Sequence, residues 1–379
     1  ELAKMANVQC ESCHGPGSTH RGKEGTVAVE YSTGTCAQCH DAMSHHYKQA
    51  EWNNSRHAIA TRSPSGPGRE GCVKCHTGLG FIDTVKGASP VRTDYTAINC
   101  TACHDPHNDS LPHQLRTISD ITLANGSVVS KGGTGKICMN CHLARVKAEE
   151  NVLTPSPRTG PHHGPQTDML VGTNGFPYGL AIASSAHIHA VEESCVACHM
   201  QETDHVAPEF TKVGGHTFKL GWDAGTPADS SDDVHLVTAC MECHGPVRSF
   251  DFARQDYDGD GVVEGVQTEV RNLLDKLGRL LPPLGDPKVT ISTSLNLAQR
   301  QAAYNYQFVL EDGSFGVHNT AYAVGLLKAS IADLSVDPND KDGDTLPDAW
   351  EITNFTNITA QDANGDPDGD GVTNSREYI

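Results

Sequence analysis

Fourteen cysteines fall into seven CxxC pairs, and a histidine follows each pair directly. The stretches are CESCH at Cys10 and Cys13, CAQCH at Cys36 and Cys39, CVKCH at Cys72 and Cys75, CTACH at Cys100 and Cys103, CMNCH at Cys138 and Cys141, CVACH at Cys195 and Cys198, and CMECH at Cys240 and Cys243. A CxxC pair alone suits a zinc ribbon, a disulfide framework or a thioredoxin-like redox pair. None of these requires the adjoining histidine, and histidine occupies only 21 of 379 positions, so seven repeats of the coincidence are not chance. The chemistry that does require it is covalent attachment of haem c. Two thiols at this spacing can form thioethers to both vinyl groups of one porphyrin, and the next residue then lies under the iron as its proximal ligand. The proximal ligands are therefore His14, His40, His76, His104, His142, His199 and His244.

The opposite face of each iron needs a second ligand or stays open. Fourteen further histidines are available against only six methionines, which sit mostly inside or beside attachment motifs. Bis-histidine ligation is the expectation, and it implies lower potentials than His/Met ligation.

The phrases CESCHGPGSTH, EWNNSRHA, CTACHDPH, GPHHGPQTDML, SSAHIHAVEESCVACHM, GGHTF and GVHNTAY resemble elements of the multihaem cytochrome c superfamily. That group includes cytochrome c554-like electron carriers, octahaem reductases and extracellular cytochromes that polymerise into haem wires. The resemblance covers residues 8 to about 333. It implies second ligands at His20, His57, His107, one of His162 and His163 (His163 is taken), one of His187 and His189 (His187 is taken), His216 and His318. His45 and His46 compete with His20, while His113, His205 and His235 are expected at the surface.

The elements that must position these ligands are short. All seven motifs lie within residues 10 to 244, which leaves room for brief helices carrying CxxCH and for loops, but little sheet. The expected fold is mostly irregular coil with short α-helices organised around seven covalent haems, with one β-hairpin near 117–130, where β-prone residues flank Asn125-Gly126. The alternating short and long gaps between the early motifs suggest closely stacked haem pairs. Apolar residues are 37% and aromatics 6%, so side chains alone would make a thin core, and the macrocycles are expected to fill it. The Pro/Gly-rich stretch TPSPRTGPHHGPQTD reads as a loop delivering a histidine to an iron.

Helical spacing resumes after residue 255, stopping at Pro282-Pro283, and again in LNLAQRQAAYNYQFVLEDGSFGVHNTAYAVGLLKASIADL, as one helix or two joined around Gly313. The expected domains are a heptahaem domain at 1–254, an α-helical segment docking on it at 255–336, and calcium-loop repeats at 337–379.

Three stretches match the EF-type calcium loop, with oxygen ligands at positions 1, 3 and 5, glycine at 6 and a carboxylate at 12. DPDGDGVTNSRE offers Asp366, Asp368, Asp370 and Glu377. DKDGDTLPDAWE offers Asp340, Asp342, Asp344 and Glu351, with Thr345 in place of the glycine. DYDGDGVVEGVQ offers Asp256, Asp258 and Asp260, ends in Gln267, and leaves Glu264 as its carboxylate. The tail also resembles the dockerin and thrombospondin type 3 repeats of secreted proteins.

A formal charge of −19 argues against nucleic acid or an anionic membrane surface as partner. No stretch is apolar for long enough to span a bilayer. Haem c and calcium together imply an exported protein, its signal removed, at the cell surface or outside the cell. The expected function is electron transfer without catalysis, to other redox proteins or extracellular acceptors. The alternative is a reductase or oxidase of nitrite, hydroxylamine or a sulfur oxyanion with one open haem. Related enzymes often mark that haem with a lysine, whereas all seven motifs here end in histidine. The resemblance to extracellular cytochrome wires, some of which borrow an axial ligand from the next subunit, implies a further expectation with which the odd haem count and the spare His20, His45 and His46 are compatible: a head-to-tail homopolymer, a heterologous contact that does not close making a filament.

Overall fold

A computed structural model of the chain describes residues 9–18, 20–23, 31–41, 47–59, 69–90, 95–226, 228–335, 346–355 and 364–378. It forms two compact units, the first from residues 1–143 and 186–252, the second from 144–185 and 253–379.

The first unit is coil punctuated by short helices. Five helices end on the motif histidine itself: Cys10–His14, Thr33–His40, Glu70–His76, Cys195–His199 and Thr238–His244. Cys100–Cys103 stops one residue before it, and Lys136–Met139 three residues before it. One helical turn brings residues three and four apart onto a common face, which gathers two thiols and an imidazole. Glycines at positive φ, Gly15 and Gly245, then turn the chain away. Helices this short are not stable alone, and four of these, at Cys10, Thr33, Cys195 and Thr238, bury no residue. One apolar cluster of this unit joins Phe81, Ala102, Leu115 and Ile137, with Cys103, Cys138 and Cys141 packed against it. The hairpin forms at Ile121–Thr122 and Val128–Val129, Ile121 facing Val129. A second antiparallel pair, Gly221–Trp222 with Val234–His235, joins strands too short and too far apart to leave an alternating pattern.

The second unit has an ordinary apolar core. Helices Val266–Leu280, Leu297–Asp312 and Thr320–Ser335 bury Val270, Leu273, Leu277, Phe308, Val309, Leu326 and Leu327 together. The long helical pattern is two helices rather than one: Gly313 at φ +72 ends the first in the left-handed conformation. Asn296 starts that helix with a capping box to Gln299.

Residues 144–185, expected inside a domain spanning 1–254, belong instead to this second unit. Buried polar side chains hold them there. Arg300 donates to the carbonyls of Val152 and Leu153, Asn305 pairs with both backbone groups of Phe176, and the Tyr322 hydroxyl accepts from Gly175 N–H. Asp168 accepts from Ala144 N–H and the Asn174 amide, and burial raises its pKa to about 6. Such long-range partnerships leave no periodic trace in the sequence.

Candidate haem centres

No disulfide joins any of the fourteen cysteines. Among the described residues the sets of three or more metal-binding side chains that converge are two aspartate triplets, with no cysteine or histidine among them. The CxxCH motifs are thus neither disulfide-bonded nor arranged as zinc ribbons. Two of the motif histidines show how the ring is oriented. His104 Nδ1 lies 2.8 Å from the His113 carbonyl and His199 Nδ1 3.0 Å from the Phe218 carbonyl. A ring that donates from Nδ1 presents an unprotonated Nε2, the arrangement of a metal-ligating histidine.

Two imidazoles bonded to one metal from opposite sides, each through a bond of about 2 Å, have ring centres roughly 6 Å apart. Four of the ring pairs among the described residues of the first unit have this separation. His14 and His107 are 5.9 Å apart with planes at 7°, and His57 and His142 are 6.1 Å apart at 83°. His104 and His216 are 6.2 Å apart at 36°, and His187 and His244 are 5.9 Å apart at 76°. Every pair joins one CxxCH histidine to one of the histidines named as second ligands. Of His187 and His189, it is His187 that meets a motif histidine. The residues present therefore fit a haem at each of these four motifs.

The surroundings favour neutral rings. Trp52 stacks on His57 at 5.8 Å and 12°, and Phe218 approaches the same ring edge-on at 5.2 Å. Burial, with the nearby His142 second, lowers the His57 pKa to about 4. Burial likewise lowers the pKa of His104. A neutral imidazole is the form that binds iron. Trp52, Phe218 and the His113 carbonyl carry no motif of their own, and only the packing identifies them.

His318 lies in the second unit, half-buried, its Nδ1 2.7 Å from a carboxylate oxygen of buried Asp312, which also accepts from the Ser314 hydroxyl. His163 is exposed, with Nδ1 3.0 Å from Glu311. His20 sits in a turn, and His45 and His46 lie outside the described residues. His205 packs against Phe210 and Tyr47, His235 against Phe250.

Two acidic loops share one backbone design. Asp256, Asp258 and Asp260 bring carboxylate oxygens within 4.8 Å of one another, as do Asp366, Asp368 and Asp370. Asp256 accepts from Gly259 and Gly261 N–H, and Asp366 accepts from Gly369 and Gly371 N–H. Burial, then the charges of Asp368, Asp370 and Asp366, raise the Glu377 pKa. In the first loop the Glu264 carboxylate takes the Asn272 amide. Fully buried Glu269, just beyond the loop pattern, accepts the N–H groups of Tyr257, Asp258 and Glu264. Asp340, Asp342 and Asp344 lie outside the described residues, while Glu351 is buried in the helix Asp348–Phe355.

Comparison with known proteins follows the same chemistry. The chain is 24% identical over 250 residues to the multiheme cytochrome MtrA of Shewanella baltica (strain OS185), a match covering 63% of this chain and 56% of that protein. It is 28% identical over 162 residues to the C-type polyheme cytochrome OmcB of Geobacter sulfurreducens, covering 36% of this chain and 21% of OmcB. Its relatives are multihaem cytochromes. The chain spans only about half the length of the first and a fifth of the second. The crystal structure of the outer cell wall cytochrome OcwA superposes with a TM-score of 0.58 at 22% identity, over 86% of this chain and 70% of that one, so the fold is that of a multihaem cytochrome. No family model matches the chain. None of the described helices is long and apolar enough to cross a membrane.

Proposed function

We propose that this chain is an exported heptahaem c-type cytochrome that conducts electrons through bis-histidine haems without a substrate site of its own. The carrying observation is the set of four imidazole pairs, 5.9 to 6.2 Å apart, each joining a CxxCH histidine to a remote one. Two ring ligands per iron leave no position for a substrate, which favours conduction over reduction of nitrite, hydroxylamine or a sulfur oxyanion. His20, His163 and His318 are the proposed second ligands of the remaining irons. The haem supplies the one-electron couple; the chain's residues bind it through the thioethers, fix its ligand planes and exclude water from the iron.

The same proposal assigns calcium to the aspartate loops at 256, 340 and 366, the hard-cation ligand set of an environment rich in calcium. It places the protein at the cell surface or outside the cell, in contact with redox proteins or extracellular acceptors, and includes head-to-tail polymerisation into a filament.

The test is a haem count by the pyridine haemochrome method with a resting-state EPR spectrum of the same sample. Seven haems per chain, all low-spin, are expected. A substantial high-spin haem that binds cyanide or nitrite rapidly and turns over with a reduced dye would replace this reading with the enzyme. Dispersed monomers at high concentration with calcium, seen by negative-stain microscopy, would remove the filament alone.

A further inference from the structure

We infer that Glu51 lowers the reduction potential of the haem ligated by His104 and His216, acting through the His216 ring. This rests on the bis-histidine reading of that pair.

An axial imidazole uses Nε2 for the metal and offers Nδ1–H to a second partner, whose charge sets how strongly the ring donates. His104 and His199 give Nδ1 to neutral backbone carbonyls. His216 meets a carboxylate. Its Nδ1 lies 3.4 Å from Glu51 Oε2, and the same oxygen accepts the His216 backbone N–H at 2.9 Å. The Nδ1 contact lacks hydrogen-bond geometry, so the interaction is that of a charge beside the ring, with the backbone bond fixing its position.

The surroundings hold the carboxylate in place. Glu51 is 8% exposed and lies on the short helix Lys48–Asn53, whose next residue, Trp52, stacks on His57. Gly215, adjacent to His216, has φ +48, and a Cβ there would come within 2.5 Å of Glu51 Oε2. A side chain at 215 would displace the carboxylate from the ring. The carboxylate accepts the His216 backbone N–H and faces the Lys48 ammonium, the partners of an acceptor-only anion.

Glu51 therefore keeps a negative charge beside a site that gains one electron on reduction, ferric to ferrous, supplied by a neighbouring haem, with no bond made or broken. The charge stabilises the ferric form and opposes the electron. Lys48 Nζ, 3.6 Å from the same oxygen and partly exposed, offsets part of the effect.

The experiment is a potentiometric titration of the holoprotein, followed optically and by EPR, on the parent and four variants. Glu51→Gln keeps the shape and an oxygen for the His216 N–H but removes the charge. One haem is expected to shift about tenfold in its reduction equilibrium, upward by ~59 mV for a one-electron couple, while staying low-spin. Lys48→Met should move the same haem downward. His216→Ala should make one haem high-spin, and the Glu51→Gln shift should vanish in the Glu51→Gln/His216→Ala double variant. If His216→Ala leaves every haem low-spin, the ligand reading itself falls. If it creates a high-spin haem but Glu51→Gln moves no midpoint, or turns a haem high-spin, the ligand reading stands and the role of Glu51 is refuted.

Discussion

Replacing His57 by alanine gives the sharpest test of the ligand pairs, because the structure dictates both how much signal is lost and which kind. His57 faces His142 at 6.1 Å with ring planes at 83°. Perpendicular ligand planes leave two of the iron d orbitals nearly equal in energy, which gives a low-spin ferric signal with strong anisotropy. Nearly parallel planes, as at His14 and His107 at 7°, split those orbitals and give an ordinary rhombic signal. His57→Ala should thus convert one haem of seven, about one-seventh of the low-spin intensity, to high spin, and the loss should come from the strongly anisotropic class. The variant also loses ring contacts to Trp52 and Phe218, each worth about 1 kcal/mol beyond area burial, so about 2 kcal/mol of packing goes with the ligand. Trp52→Leu separates the two effects: it should lower the melting temperature yet keep every haem low-spin. Added imidazole should restore the His57→Ala spectrum by filling the space. An unchanged spectrum in His57→Ala, or a loss confined to the rhombic class, would refute the assignment of His57 to the haem of Cys138 and Cys141.

Three more outcomes follow from the second unit. Asp168 has its pKa raised to about 6 by burial, from roughly 4 in the unfolded chain, so between those values the folded state holds the extra proton. Stability of this unit should then fall as pH rises through that window, by up to about 3 kcal/mol, and Asp168→Asn should flatten the dependence in denaturant titrations at a series of pH values. Leu277, fully buried between the three long helices, should cost about 3 kcal/mol as Leu277→Ala, read as a lowered denaturation midpoint with unchanged m-value. Calcium titration calorimetry should lose one binding event in Asp258→Asn and a different one in Asp368→Asn, while a titration unchanged in either variant would remove that loop as a site.

The chemistry of this protein is legible where it is local. CxxCH packs two thiols and an imidazole into about one helical turn, so five consecutive letters specify an attachment site whatever surrounds it. The acidic loops are similar: Asp256 with Gly259 and Gly261, and Asp366 with Gly369 and Gly371, close turns whose donors and acceptors lie within five residues. Glu269 escaped the loop pattern because it ties the loop from the following helix, two positions after Gln267.

Composition was less informative than it looked. Averaged over 379 residues the core seems thin, yet the second unit buries a conventional set of leucines and aromatics, while in the first an apolar cluster packs against cysteines. An average over two differently built halves describes neither. The unit boundary was equally hidden, because buried Arg300, Asn305 and Tyr322 recruit residues 144–185 through single contacts to remote backbone groups.

The sequence by itself determined how many attachment motifs there are, which histidine follows each, and that the ligand supply exceeds the demand. The tertiary structure decided which rings meet. His107 stands three residues after His104, yet it faces His14, and the ring opposite His104 is His216. His57 precedes the third motif and faces the histidine of the fifth. A covalent attachment is a property of one helical turn, whereas an axial pair is closed only when two distant segments pack with their rings about 6 Å apart. Chain proximity carries no information about that meeting, so the motif could be read residue by residue and the pairing could not.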